Sequence, residues 1–220
     1  MKRVAIPELL DTDSGSPAEI AASLSDLDRI NRWFGGISTT TSMIRRVAQK
    51  LGVSSLSLLE VAAGSGYVPE RARRRLVRAG IELDVTLLDR VPSHLVNGNR
   101  TVAGDVLALP FCDASFDLVG SVIFMHHLPP VQVIQSVNEA LRVCRTAVLI
   151  NDVVRHPIHL ALVYAGYPLF RSRLTHHDAP ASVRQAYTPA EMQDLLKQTR
   201  AARVEIHHHY LFRMGVIVWK

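Results

Sequence analysis

The sequence predicts an α/β fold: a doubly wound, mostly parallel sheet with an antiparallel edge strand and helices on both faces. Three observations predict it. From Ser54 onward, short β-rich apolar runs alternate with helical stretches, the pattern of successive βαβ units. The first of these runs, Leu58-Leu59-Glu60-Val61, passes through a turn of small residues straight into a helix. The chain of 220 residues is 48% hydrophobic and 20% charged, enough for one sizeable core and too apolar for disorder.

The elements follow in order. Residues 1–15 read as a loosely ordered lead-in. Ser16-Pro17-Ala18-Glu19 then sets a capping serine, a proline at the first helical position and a glutamate at the third, so a helix starts there. Ile20, Leu24, Leu27, Ile30 and Phe34 recur at helical spacing until Gly35-Gly36, and 41–51 reads as a second helix closed by Gly52. These two helices make an N-terminal lid or annex, 1–53, before a single domain, 54–220. In that domain strands are expected at 56–62, 83–88, 100–104, 116–123 and 146–152, with helices at 69–79 and 130–143 between them. Segment 155–187 looks less regular and carries many His, Arg and Tyr residues. A second capping box, Thr188-Pro189-Ala190-Glu191, opens a helix to about 199, and 203–219 holds two alternating runs suited to an antiparallel pair.

Charge and cysteine content narrow the class. A formal charge of +5 permits acidic partners without demanding them. Cys112 and Cys144 have no metal-ligand spacing and fit reduced thiols in a cytoplasmic protein, with no metal expected. No apolar run reaches the roughly 18 residues of a membrane span, and Lys2-Arg3 precede too short an apolar stretch for a secretory leader. A monomer or homodimer is expected.

The turn Ala62-Ala63-Gly64-Ser65-Gly66 is the most informative stretch. Small residues there let a ligand lie against backbone N–H groups at the positive end of a helix. A dinucleotide fingerprint, G-x-G-x-x-G, fits Gly64 and Gly66 but meets Pro69 where the third glycine belongs. The acidic-x-G-x-G-x-G spacing fits better, with Glu60 ending the strand and Ala62 in the first glycine's place.

That spacing resembles motif I of class I S-adenosylmethionine-dependent methyltransferases, a Rossmann-like family. Downstream come Asp89 after Val85-Thr86-Leu87-Leu88, then Gly104-Asp105-Val106, Leu109-Pro110-Phe111, Phe116-Asp117-Leu118-Val119, Ser121 and His126-His127-Leu128. The series is similar to small-molecule methyltransferases of the ubiquinone and menaquinone type and covers 56–152. The resemblance implies S-adenosyl-L-methionine as methyl donor. It places Glu60, Ala62, Gly64 and Gly66 at the methionine half, Asp89 with Arg90 at the ribose, Asp105 and Val106 at the adenine, and Ser121 beneath the sulfonium. Two departures stand out: Ala62 itself, and Arg142-Val143-Cys144-Arg145-Thr146 where a Pro-Gly-Gly turn is usual before strand five.

Methyl transfer needs alignment of nucleophile, methyl and sulfur, worth about 7–11 kcal/mol, and a base is secondary. His126 and His127 follow the fourth strand at the sheet's ligand edge. If strand geometry persists they face opposite ways, so His127 is the expected base or acceptor-orienting group and His126 an acceptor contact. His177, beside His176 and Asp178, is a second catalytic candidate, although neighbours in sequence seldom orient one another. Tyr164, Tyr167, Arg184 and Tyr187 are expected to line a pocket for a small hydrophobic acceptor, phenol, quinol or polyketide-like, with oxygen favoured over carbon. By analogy, Arg32, Trp33 and Phe34 would close over the donor. His207-His208-His209 offers only two same-face ligands and reads as a polar edge strand.

Other functions stay in view. An RNA methyltransferase is motivated by Arg71, Arg73, Arg74, Arg75 and Arg78, yet these surround a solvated helix and no RNA-binding module is attached, so no nucleic acid partner is expected. A non-catalytic cofactor-binding protein would keep the fold without the acceptor site. An NAD-dependent oxidoreductase is disfavoured by Pro69.

Overall fold

A computed structural model describes residues 1–12, 14–91 and 100–220. Its centre is a seven-stranded sheet in the order β3-β2-β1-β4-β5-β7-β6. The first five strands are Ser55–Val61, Glu82–Asp89, Arg100–Ala103, Phe116–Val122 and Cys144–Val153, parallel throughout. β6 (Arg203–His209) and β7 (Arg213–Trp219) form the expected hairpin, with β7 inserted between β5 and β6 and antiparallel to both. β7 is buried along its whole length because it lies inside the sheet, and β6 is the outer edge.

Two cores flank the sheet. On one face α4 (Pro130–Val143) and α7 (Pro189–Leu196) bury Val133, Val137, Leu141, Met192 and Leu196 against β4, β5 and β7. On the other, α2 (Gly36–Leu51) and α3 (Tyr67–Val77) bury Met43, Ile44, Val47 and Leu76, with α2 lying on β5 and β7 and α3 on β2. α2 therefore belongs to the sheet's own cover, and a boundary at residue 53 runs through one packing unit. α1 (Pro17–Trp33), opened by the Ser16 capping box, packs against α2 and α6 over the carboxyl edge of the strands. No helix among the described residues is long and apolar enough to cross a membrane.

Two expectations are corrected. Segment 155–187 is largely helical: α5 (Pro157–Ala165), a 3-10 turn at Tyr167–Leu169, and α6 (Arg173–Gln185). Its His-His-Asp-Ala-Pro stretch hides a helix that Ser172 caps and that buries Leu174 and Val183, while Asp26 on α1 accepts from the N–H groups of Arg171 and Ser172. Tertiary contacts outweigh a weak local propensity.

The lead-in is a strap. The Arg3 guanidinium donates to the carbonyls of His126, Leu128 and Gln185. Both oxygens of Asp178 accept from the strap, Leu9 N–H at 2.8 Å and Leu10 N–H at 3.1 Å, and the strap's own Glu8 is buried. Asp178→Ala leaves those two amides unpaired, so stability should fall by about 1–3 kcal/mol. Hydrogen exchange at Leu9 and Leu10 should accelerate in the same variant, and unchanged protection would show that the strap is held elsewhere.

Candidate functional site

The turn after β1 carries backbone at positive φ three times: Ala62 at 50°, Gly64 at 50° and Gly66 at 68°. Gly66 caps α3, and a Cβ there would lie 2.4 Å from Leu87 Cδ1. A Cβ at Gly64 would meet nothing, so glycine serves the conformation and keeps that face open. Ala62 adopts the same left-handed region with a methyl, at a cost of about 1–2 kcal/mol.

Asp89 ends β2, the neighbouring strand. Its carboxylate accepts from Gly64 N–H at 2.8 Å and from Val91 N–H at 2.9 Å, which ties the two strand ends together. Ala62, Gly64, Asp89, Arg90, Asp105 and Val106 all line one cavity of about 580 Å³ beneath α1, whereas Gly66, expected there too, packs on Leu87 and does not reach it; that volume is within the range of about 300–1,000 Å³ usual for small-molecule sites. Asp105 holds its own loop by accepting from Leu107 N–H at 2.9 Å.

Glu60 also borders the cavity. Its carboxyl fits because position 120 is glycine: a Cβ there would come within 2.5 Å of Glu60 Oε2. Burial pushes this carboxyl up to about 8. Asp28 on α1 joins the same wall, takes a hydrogen bond from Ser65 Oγ at 3.3 Å, and is raised by burial to about 6.

Ser121 is not on the wall. It is registered with Val61, which belongs to the α4-side core, so its buried hydroxyl points there and finds no partner. Val122 and Ile123, the latter at φ 51°, take the place expected for it.

At the far end β4 stops at Val122 and Met125–His127 forms a 3-10 turn. Side-chain alternation is lost there, and both imidazoles turn toward Glu8 of the strap. His126 is buried; its Nδ1 bonds Asp152 Oδ1 at 2.7 Å and its Nε2 lies 3.4 Å from Glu8 Oε1. Burial opposes charge on His126, but flanking carboxylates outweigh it and raise the imidazole to about 10. Burial likewise opposes the charge on Glu8, and its contacts with His126 and His127 hold it below the usual carboxylate range. His127 does line the cavity, with Nδ1 on Asp11 Oδ2 at 2.8 Å and its ring stacked on Phe124. His126 thus supports the wall from behind rather than meeting a ligand.

Several expected residues lie elsewhere. His177 does pair with Asp178, at 2.8 Å, but sits on the exposed side of α6, away from the cavity. Tyr187 is core, its hydroxyl bonded to the Leu128 carbonyl at 2.7 Å under the Arg3 guanidinium. Arg184 bonds Tyr164 Oη and Tyr167 bonds the His176 carbonyl, and none of the three lines the cavity; α6 turns Thr175, Asp178, Ala179 and Ser182 to it instead. Trp33 and Phe34 are exposed at the end of α1, and Leu24, Leu27, Asp28 and Asn31, earlier on the helix, face the cavity. Sequence reasoning missed Glu8, Asp11 and Asp28. Only Asp28 carried a signal, as an acidic residue on the stripe 24, 27, 28, 31.

Residues 59–150 match the family model described as a methyltransferase domain. Over this stretch, less than half of its length, the chain is similar to methyltransferase domains, and the sheet order and turn geometry agree with that likeness. The matched span runs from β1 to β5 and contains Glu60, the glycine turn, Asp89, Asp105 and both histidines. A protein of Encephalitozoon cuniculi (strain GB-M1) assigned to the methyltransferases is 36% identical over 86 residues, 39% of this chain and 38% of the relative. The plantazolicin methyltransferase BpumL, solved with SAH, shares the fold at a TM-score of 0.72 and 12% identity over 97% of this chain and 94% of its own. A SAM-dependent methyltransferase from Aquifex aeolicus matches at 0.54 and 14% identity, covering 80% and 88%. Likeness at such identities is one of fold.

The buried carboxyl gives a pH signature. Glu60 keeps its proton in the folded chain up to about pH 8, against an ordinary value of 4.5. Its neutral form contributes stability in full below 4.5, and that contribution is lost as pH rises toward 8. Thermal unfolding of wild type and Glu60→Gln across this window should diverge, wild type losing ground as pH rises; parallel curves would place the carboxyl in water.

Proposed function

We propose that the protein transfers a methyl group from S-adenosyl-L-methionine to a small, largely hydrophobic acceptor, with oxygen the favoured methylated atom. One observation carries the reading: the Asp89 carboxylate, fastened to the Gly64 amide, stands one strand away from a left-handed small-residue turn in the same cavity. A nucleoside fits this arrangement, with ribose hydroxyls on Asp89, the adenine edge toward Asp105 and Val106, and the methionine half beside Glu60 and the turn.

The donor supplies an electrophilic methyl on a cationic sulfur. The chain's own contribution is charge and alignment. Asp28, ionised above about pH 6, puts negative charge on the cavity wall, Glu60, neutral below about pH 8, offers a carboxyl for hydrogen bonding, and the open face at Gly64 lets the ligand reach backbone N–H groups. Leu10, Leu24, Leu27, Phe124 and Leu128 give the acceptor end an apolar body in place of the tyrosines expected from sequence. His127 is the polar side chain that meets the acceptor there, its ring oriented by Asp11 and Phe124. The strap and α1 keep water out, so alignment rather than proton transfer is the larger contribution. BpumL, whose structure also exists with a monoazolic plantazolicin analogue, is a small-molecule precedent on this fold.

Calorimetric titration with S-adenosylhomocysteine tests the donor site. Binding should be measurable in wild type and weaker by about 1–3 kcal/mol in Asp89→Ala, since bound hydroxyls lose their acceptor. Equal affinity in a folded variant would remove the assignment. For His127→Ala, turnover should fall by about 10²-fold or more with S-adenosylhomocysteine affinity retained; near-normal turnover would leave the acceptor positioned by packing alone.

A further inference from the structure

The cluster at the strap end has a property that methyl transfer does not call for. Asp152 presents a carboxylate, an acceptor only, to His126 Nδ1 at 2.7 Å, and Asp11 does the same to His127 Nδ1 at 2.8 Å. Each imidazole therefore holds a proton on Nδ1, and both Nε2 atoms, where a metal ion would replace any second proton, are turned toward one carboxylate. His126 Nε2 is 3.4 Å from Glu8 Oε1 and His127 Nε2 is 3.9 Å from Glu8 Oε2. His126 Nε2 is completely buried and lacks a hydrogen-bond partner in good geometry, a cost that buried polar atoms rarely bear without reason. Glu8 is itself fixed by Ser182 Oγ at 2.6 Å and Gln185 Nε2 at 2.7 Å, both on Oε1.

We propose that Glu8, His126 and His127 hold a divalent transition-metal ion of the zinc type, with its remaining coordination open toward the cavity. The three ligand atoms lie within 4.8 Å of one another. Around a tetrahedral ion with bonds of about 2.0–2.1 Å, neighbouring ligands stand about 3.3–3.4 Å apart. His126 Nε2 already stands at that distance from Glu8 Oε1, and His127 Nε2, 3.9 Å from the other oxygen, Oε2, needs to move in by about half an ångström for the carboxylate to bridge both to one ion. Asp152 and Asp11 supply what metal-binding histidines ordinarily have behind them, a carboxylate on the far nitrogen that sets tautomer and ring orientation. Two imidazoles and one carboxylate suit zinc or another late transition ion rather than magnesium or calcium, which prefer oxygen throughout. Glu8 and His127 border the cavity while His126 stands behind them, so the vacant positions face the acceptor end. A bound ion would be filled out there by water or by an acceptor oxygen, with His127 serving as ligand.

Spacing along the chain gives no hint of this set, because Glu8 is remote and adjacent histidines imply opposite faces. The 3-10 turn brings them to one side.

The test uses chelator-treated full-length protein titrated with zinc sulfate alone, without donor. One ion per chain is expected. Glu8→Gln and His127→Ala should abolish stoichiometric uptake, and Asp11→Asn, which disturbs only the outer carboxylate, should weaken it by about 10- to 100-fold. Exchange of His207 and His209 for alanine should leave uptake unchanged, and cobalt(II) should give four-coordinate visible bands in wild type but not in Glu8→Gln. Circular dichroism confirms that each variant is folded. No uptake by wild type, uptake unaltered in Glu8→Gln and His127→Ala, or uptake lost only with His207 and His209 would each overturn the site. Because the readout needs no donor, it stands or falls separately from the methyl-transfer reading.

Discussion

The tie between Asp89 and the Gly64 amide is the contact on which the site depends. A backbone that must pass through the left-handed region at Ala62, Gly64 and Gly66 has little reason of its own to hold one shape. The carboxylate at the end of the adjacent parallel strand holds it, and the parallel register β1–β2 puts that carboxylate at the same height as the turn. The same geometry leaves the ligand-facing side of the turn free of side chains at Gly64 while Gly66 packs directly on Leu87. Sheet register, turn conformation and ligand room are one arrangement.

The roof over this cavity is held by polar contacts in unusually dry surroundings. Asn151 on β5 donates to the Gly36 carbonyl at 2.7 Å and to Thr40 Oγ1 at 2.8 Å. Arg213 on β7 reaches the Phe34 carbonyl and Asn151 Oδ1, and burial lowers its guanidinium to about 10. These bonds pin the corner between α1 and α2 to the centre of the sheet, which sets how far α1 stands above the turn. Asp26 then joins α1 to the start of α6, and Asp178 on α6 joins the strap. Asn151 and Arg213 donate to backbone carbonyls while Asp26 and Asp178 accept from backbone N–H groups, and all are buried or half-buried groups of the kind that costs most when left unpaired.

Much of the sheet was legible. The strands at 56–62, 83–88, 100–104, 116–123 and 146–152 lie within a residue or two of the observed elements, because buried parallel strands write themselves as short apolar runs, and the exposed edge strand β3 follows at the expected interval. The helix at 130–143 and both capping boxes were equally plain. Along the donor half, Glu60, the turn, Asp89 and Asp105 sit on one wall as strand-end logic requires. The acceptor half was misread. Tyrosines and arginines of 155–187 suggested a pocket by composition alone, yet composition does not say which way an amphipathic helix faces. The strap was taken as loose because its hydrogen-bond partners are far away in sequence.

The chain by itself determined the wound sheet, the left-handed turn and the carboxylate that meets it, since each is encoded within a few neighbouring residues by period, cap or glycine. Tertiary structure alone decided that Glu8 and Asp11 reach the two histidines, that Ser121 turns into the core and that α1 and the polar side of α6, rather than the aromatic residues nearby, cover the cavity. Such contacts depend on distant segments meeting after the sheet has formed, where buried charges take partners by position and not by spacing along the chain.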